Sequence, residues 1–321
     1  MGAAAPAAAL LVPQAVPVAS SDVQATLGKL GARPGATRLP VAVTDQVNAS
    51  VDVGTGNLML QVAGLSVPGV AGDTLIGLTG NSLSKEQSET TAEPQRFELT
   101  AGAAGKLFSV SGGMLYEGPD GYSAKFTPVS GSTTAFTAPA GVKADLVKTS
   151  TGYTLTWRSS ATVVEFNADG KTTSVADRNG NKTTYTYSGG VLSKVVGTRG
   201  AAEAKTATIN TSSTAITVAQ STSADYRVVK FVKDAYNNLD AYVDATGART
   251  EFDTWEGKVT KITTPTGAVT EIAYDATDRV TKITRHNTTT GSLGTSPSPA
   301  WRTPRPPRPW WRIRIRTRLL R

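Results

Sequence analysis

The apolar and polar positions of the chain follow a degenerate repeat of about 20 residues across positions 163–290. Each unit has an apolar residue, two spacers, a second apolar residue, four spacers and then a glycine. Five units fit this pattern, although one begins with threonine and one has lost its glycine: Thr172, Val175 and Gly180; Leu192, Val195 and Gly200; Leu239, Tyr242 and Gly247; Val259, Ile262 and Gly267; Val280, Ile283 and Thr288. Self-similarity at a fixed period predicts a repeat architecture.

Aromatic and β-branched runs between the units predict strands. Tyr185 and Tyr187 share one face of an extended segment, because side chains alternate with a period of two. Asn179-Gly180 and Thr246-Gly247 provide turns, since glycine adopts a positive φ without steric cost. Each unit therefore predicts two short strands joined by a turn.

The second strand of each unit is less regular. Val259 and Ile262 are three positions apart, so in a regular strand they face opposite ways, whereas a β-bulge is an alternative that the sequence leaves open. A helix is disfavoured because the segment is short, rich in threonine and ended by Pro265. We predict an all-β fold of consecutive hairpins laid side by side in a curling sheet.

The rest of the chain divides by composition. Residues 1–20 are small and apolar and are interpreted as the remnant of a secretory signal, or as an Ala/Pro-rich terminus without a fold. Residues 21–44 are predicted as a linker, 45–160 as an N-terminal β region and 161–294 as the repeat region. The first apolar positions of two units, Leu192 and Leu239, are separated by a longer interval, which contains eroded repeats or an inserted hairpin.

Residues 295–321 have another composition and hold eight arginines without any acidic residue. Without these eight, the chain has 25 Lys and Arg against 25 Asp and Glu, so a basic nucleic-acid-binding surface is not implied for its body. The tail is interpreted as a disordered or frameshifted end, or as an element that binds nucleic acid or an anionic membrane.

Two segments resemble the signature of RHS/YD-repeat proteins. One runs from Asp177 to Tyr187, and the other contains the tyrosine-aspartate pair Tyr274-Asp275. The resemblance covers residues 163–290 and, more weakly, 45–160. It implies a sheet that spirals into a hollow shell around a cargo, here incomplete, with an exposed edge strand near residues 280–284. The residues that match the repeat are Gly180, Tyr185, Tyr187, Gly200, Gly247, Phe252, Gly267, Tyr274 and Asp275.

The resemblance implies a non-enzymatic structural shell fragment, secreted or at the cell surface, which in a complete protein encapsulates or delivers a C-terminal toxin. The chain contains no Asp-Pro dipeptide, so the self-cleaving element and the toxin are missing. The partners implied are the remainder of the shell or its cargo. The alternative is a carbohydrate-binding module that stacks sugars on aromatic rings, with candidates Tyr116, Tyr122, Tyr153 and Trp157.

No catalytic, cofactor or metal site is predicted. The chain has no cysteine and one histidine, His286, which we expect in an exposed turn. No nucleophile-elbow motif surrounds any serine. The segment that begins at Asp177 starts like a calcium loop, but its glycine comes at the fourth position and Ser188 stands where the bidentate glutamate belongs.

Overall fold

The computed structural model describes residues 16–70, 72–85, 92–198, 205–221 and 226–286. Within them the protein has one short helix, α1 (Ser21–Ala25), and 23 strands that form antiparallel sheets. The prediction of an all-β fold built from consecutive hairpins is therefore confirmed.

The first sheet has five strands in chain order, each antiparallel to the next. Its strands are β1 (Arg38–Ala42), β2 (Val47–Asp52), β3 (Leu58–Val67), β4 (Thr74–Asn81) and β5 (Phe97–Ala101). The tight turn between β2 and β3 contains Gly54 and Gly56.

The other 18 strands form one long antiparallel ribbon in which each strand pairs with the next along the chain. Its first eight strands are β6 (Lys106–Val110), β7 (Gly113–Glu117), β8 (Ser123–Pro128), β9 (Ala135–Thr137), β10 (Ala144–Lys148), β11 (Gly152–Trp157), β12 (Thr162–Asn167) and β13 (Thr172–Ala176). The remaining ten are β14 (Lys182–Ser188), β15 (Val191–Gly197), β16 (Lys205–Thr211), β17 (Ala215–Ser221), β18 (Tyr226–Lys233), β19 (Leu239–Val243), β20 (Arg249–Trp255), β21 (Lys258–Thr263), β22 (Val269–Tyr274) and β23 (Val280–His286).

The interval that breaks the repeat in the sequence also belongs to this ribbon. Strands β16, β17 and β18 pair with their neighbours in chain order and without a register shift between β16 and β18. Their inward residues, such as Ile216, Val218 and Val229, are as buried as those of the regular units. The ribbon therefore continues through this interval.

The five-stranded sheet covers the inner face of the ribbon from β14 to β23. One hydrophobic core joins the two layers, with Leu60 and Ile76 on the sheet and Phe231 and Ile262 on the ribbon. Strand β3 lies against β15 to β18. At Gly64 a Cβ atom would lie 2.9 Å from Cζ of Phe231, so glycine is the residue that permits this close approach. The chain's own N-terminal sheet thus covers the inner face of the ribbon from β14 to β23.

The beginning of the ribbon has a separate core. Leu107, Phe126, Leu146, Leu155 and Val164, from β6 to β12, are fully buried together. The ribbon curls back on itself here, because the amide of Leu107 donates a hydrogen bond of 2.8 Å to the carbonyl of Gly170.

Part of the predicted signal remnant belongs to the fold. Val18 forms a parallel bridge with Ser109 of β6, and the amide of Ala19 donates to the Ser109 carbonyl at 2.9 Å. Ala19 is buried, so removal of all residues up to position 20 would uncover part of β6. Positions 1–15, Gly200, Thr288 and the arginine-rich tail lie outside the described residues.

Candidate functional site

Five ribbon strands carry the same β-bulge, at the position between the two apolar residues of each repeat unit. Opposite each bulge the register shifts by one residue, in β13, β15, β19, β21 and β23. In β21, for example, Val259 pairs with Thr254 and Lys261 with Asp253, which leaves Thr260 as the extra residue. The bulge lets Val259 and Ile262 both reach the core although they are three apart. Of the two alternatives left open by the sequence, the bulge is the one that forms.

The extra residue of each bulge is Thr173, Ser193, Asp240, Thr260 or Thr281. In four of the five bulges its hydroxyl donates a hydrogen bond to a carbonyl on the preceding strand, at 3.0–3.2 Å. Asp240 is the exception, and its carboxylate accepts a hydrogen bond of 2.8 Å from Arg249. A hydroxyl residue directly after the first apolar position is a signal for the bulge in the sequence, and the repeat pattern described above does not include it.

Three of the turns that follow bulged strands, those after β13, β19 and β21, lie among the described residues and share one geometry. In the turn that begins at Asp177, the carboxylate accepts hydrogen bonds from the amides of Asn179 and Asn181 at 2.8 and 2.9 Å. The fourth residue is Gly180, with a φ of 80°. Gly247 and Gly267 occupy the same place with φ of 88° and 82°. Because the Asp177 carboxylate is bonded within its own turn, this loop serves chain reversal, as the sequence predicts for it.

The aromatic residues of the repeat lie in the core or at its edge. Tyr185 is buried, and its hydroxyl donates to the carbonyl of Ala101 at 3.1 Å. Phe252 is buried, and the hydroxyl of Tyr274 donates to the carbonyl of Val259 at 2.7 Å. Tyr187 is partly exposed beside Lys171, and burial raises its pKa to about 12.

The turn that begins at Asp275 precedes the bulged strand β23 and has the same hydrogen bonds as the turn at Asp177, but its fourth residue is an aspartate. Asp278 has a φ of 65°, a conformation that favours glycine, and its side chain is 9% exposed. Its carboxylate contacts Nζ of Lys258 at 2.6 Å, Nζ of Lys85 at 2.8 Å and Nη1 of Arg96 at 3.1 Å. Burial alone would raise the pKa of Asp278, but these cations hold it far below the usual range of an aspartate.

We call the contact between residues 92–96 and the turns of the ribbon the junction. The amide of Gln95 donates to the carbonyl of Asn237 at 2.8 Å, and Nε of Arg96 donates to the carbonyl of Glu256 at 2.9 Å. Among the described residues, five non-glycine residues have a positive φ, and four of them meet here: Arg96, Asn237, Glu256 and Asp278. Strained backbone is held in place only where its surroundings fix it, so the junction is a rigidly specified part of the fold.

The aromatic residues proposed for sugar stacking are mainly packing residues. Tyr116 is buried and packs edge-on against Trp157, with 5.8 Å between ring centroids. No face of the Tyr116 ring is open to a ligand, which removes it as a candidate. Tyr122, Tyr153 and Trp157 are partly buried beside the same core.

His286 lies in β23, whereas we expected it in a turn. It is exposed, and its Nε2 is 3.3 Å from the carboxylate of Glu271 on β22. The strand extends farther than predicted because the ladder with β22 reaches its last residue, where His286 pairs with Val269. In the part of the chain that the structure describes, no group of three His, Cys, Asp or Glu residues is placed to hold a metal ion.

A cavity of about 320 Å³ lies between the junction and β6. Glu93, Glu98, Lys106, Lys171 and Tyr187 are among its lining residues, and Lys106 pairs with Glu98 at 3.3 Å. Burial raises the pKa of Glu93. The cavity is thus lined by both acidic and basic side chains, and the pKa of one of its carboxyl groups is raised.

Comparison of the chain with protein-family models and with curated proteins found no match. The resemblance to RHS/YD-repeat proteins therefore stays a prediction. No helix among the described residues is long and apolar enough to cross a membrane.

Proposed function

We propose that the chain is a non-enzymatic structural wall, a fragment of an RHS/YD-repeat shell that is secreted or displayed at the cell surface. In a complete protein, the resemblance implies that such a wall encapsulates or delivers a C-terminal toxin. The remainder of that shell and its cargo are the partners that the proposal implies.

The observation that carries the proposal is the repeated bulge. Five strands have the same shifted register, and in four of them a Ser or Thr hydroxyl bonds the neighbouring strand. The recurring side chains are thus engaged in hydrogen bonds and packing within the ribbon. Repeats of this kind are stabilised by their neighbours, so a wall is lengthened by the addition of units.

We propose no second function. Tyr116, a candidate of the carbohydrate-binding alternative, is buried in the core. The arginine-rich tail, on which binding of nucleic acid or a membrane would depend, lies outside the described residues.

The test is to lengthen the ribbon by one hairpin. Thr284 of β23 corresponds to Thr263 of β21, after which the turn to β22 begins. A chain in which a copy of residues 264–286 follows Thr284 directly, in place of the native residues 285–321, should gain free energy of unfolding, because the new hairpin covers the edge of β23. The control carries the same copy with its residues in scrambled order. Equal unfolding midpoints for the two chains would argue against a self-extending wall.

A further inference from the structure

Among the described residues, strand β23 has an open edge. It pairs with β22 along one side, and no described strand forms a ladder along its other side. The amide of Val280, the first residue of β23, donates to the carbonyl of Gly56 at 2.9 Å. This contact closes the start of the edge and leaves the backbone after the bulge, from Lys282 to Thr284, as the segment that can receive another strand.

Strands β13, β19 and β21 show which residues pair with such an edge. Each has the same bulge as β23, and each is paired with the following strand along the side that is open in β23. The second apolar residue of each unit faces a threonine: Val175 faces Thr183, Tyr242 faces Thr250 and Ile262 faces Thr270. All three threonines are buried. In β15 the corresponding partner of Val195 is Ala207, so a small residue fits this place as well.

The neighbouring positions of the accepted strand are also specified. Two residues after the threonine comes a buried large side chain: Tyr185, Phe252 or Ile272. The residue between is an exposed glutamate in two of the three strands, Glu251 and Glu271, and Glu271 faces Lys261. On β23 the residue that corresponds to Lys261 is Lys282, which is also exposed.

We propose that the edge of β23 binds an extended antiparallel segment of another polypeptide with the pattern Thr-Glu-aromatic. The threonine lies opposite Ile283 and the glutamate opposite Lys282. Main-chain hydrogen bonds provide the affinity, and the alternate side chains provide the register, as in other cases of strand addition. This inference rests on the proposed function, since it treats the edge of β23 as a site where the wall continues, but with a strand supplied by a separate chain.

The test uses the full chain and a fluorescent peptide with the sequence of residues 248–255, Ala-Arg-Thr-Glu-Phe-Asp-Thr-Trp. We expect saturable binding by fluorescence anisotropy. Lys282→Glu should weaken it roughly threefold, the range expected for an opposite-charge pair across strands that becomes a like-charge pair. A peptide with lysine in place of its glutamate should bind the Lys282→Glu chain better than it binds the original chain.

The matched control is Lys194→Glu. Lys194 is exposed and occupies the same place in its unit as Lys282, but its strand β15 is already paired with β16. This substitution changes the net charge equally and should leave peptide affinity unchanged.

Absence of saturable binding, or an equal loss of affinity in Lys282→Glu and Lys194→Glu, would overturn the proposal. So would a dimer in analytical ultracentrifugation that the peptide does not dissociate, because a second copy would then occupy the edge. If the fused hairpin stabilises the chain but the peptide does not bind, the results support the proposed wall function and contradict the binding of a strand from a separate chain.

Discussion

The ammonium group of Lys258 lies 2.6 Å from the carboxylate of Asp278, and the two side chains are only 6% and 9% exposed. Lys258 begins β21, and Asp278 lies in the turn before β23. Arg96, which also contacts Asp278, immediately precedes β5 of the N-terminal sheet. One buried carboxylate therefore connects the last described hairpins of the ribbon to the sheet that fills it.

We expect Asp278→Asn to lower the free energy of unfolding by roughly 3 kcal/mol, because removal of one partner leaves buried cations without compensation. Asparagine tolerates a positive φ, so the substitution tests the charge and not the backbone. Urea denaturation provides the measurement. Lys85→Ala is the control: Lys85 is 52% exposed, and loss of its ion pair should cost less than about 1 kcal/mol. Similar losses in the two variants would contradict this account.

Because the pKa of Asp278 is depressed in the folded chain, we expect the free energy of unfolding to depend on pH. Its pKa in the folded chain is depressed relative to the ordinary value of 3.8, so its contribution is complete above that value and is lost as the pH falls towards the folded pKa. Below about pH 5, the free energy of unfolding should therefore fall more steeply in the original chain than in Asp278→Asn. Parallel pH profiles for the two chains would show that Asp278 is not the group responsible.

The bulge hydroxyl should contribute measurably to stability. Thr260→Val keeps the β-branched shape but removes the hydrogen bond of 3.0 Å to the carbonyl of Asp253, and we expect a loss of about 1 kcal/mol. Thr186→Val, at an exposed position of β14, is the matched substitution and should change stability by less than about 0.5 kcal/mol. Thermal unfolding of both variants distinguishes a bulge-specific effect from the general effect of threonine replacement.

One substitution should stabilise the protein. Ala161 is exposed in the turn between β11 and β12 and has a φ of 54°, a left-handed conformation that is strained for alanine. Ala161→Gly should raise the free energy of unfolding by roughly 0.5 kcal/mol, because relief of this strain exceeds the added entropy of the unfolded chain. Ala276→Gly, at an exposed turn position outside the positive-φ group, should instead lower it. A loss in both variants would show that the strain at Ala161 is small.

The local structure of the ribbon could be predicted from the sequence because its signals are local. The short threonine-rich segment around Val259 and Ile262 predicts a strand, and Gly267 predicts the turn after it. The structure shows both. The spacing alone did not decide between a bulge and two opposite faces. That decision depends on the register with β20, where Thr260 has no facing partner.

Contacts between residues that are far apart in the chain could not be predicted from the sequence pattern. Asp278 lies two residues before Val280, at a position that the repeat pattern does not include, and its partners Lys85 and Arg96 are more than 180 residues away in the chain. The same limitation applies to Tyr116, which could be assigned to solvent or to the core only once Trp157 and Phe166 were placed around it.

Because the ribbon covers the N-terminal sheet, the core between them can form only after the ribbon strands have been synthesised. Leu60 and Ile76 leave the ribosome long before Phe231 and Ile262, which cover them, and Lys85 precedes Asp278 by 193 positions. Contacts at such sequence separation form slowly, since a long loop must close before they contribute stability. The nascent sheet therefore exposes an apolar face until most of the chain has been made, and folding in the cell depends on protecting that face from aggregation during synthesis.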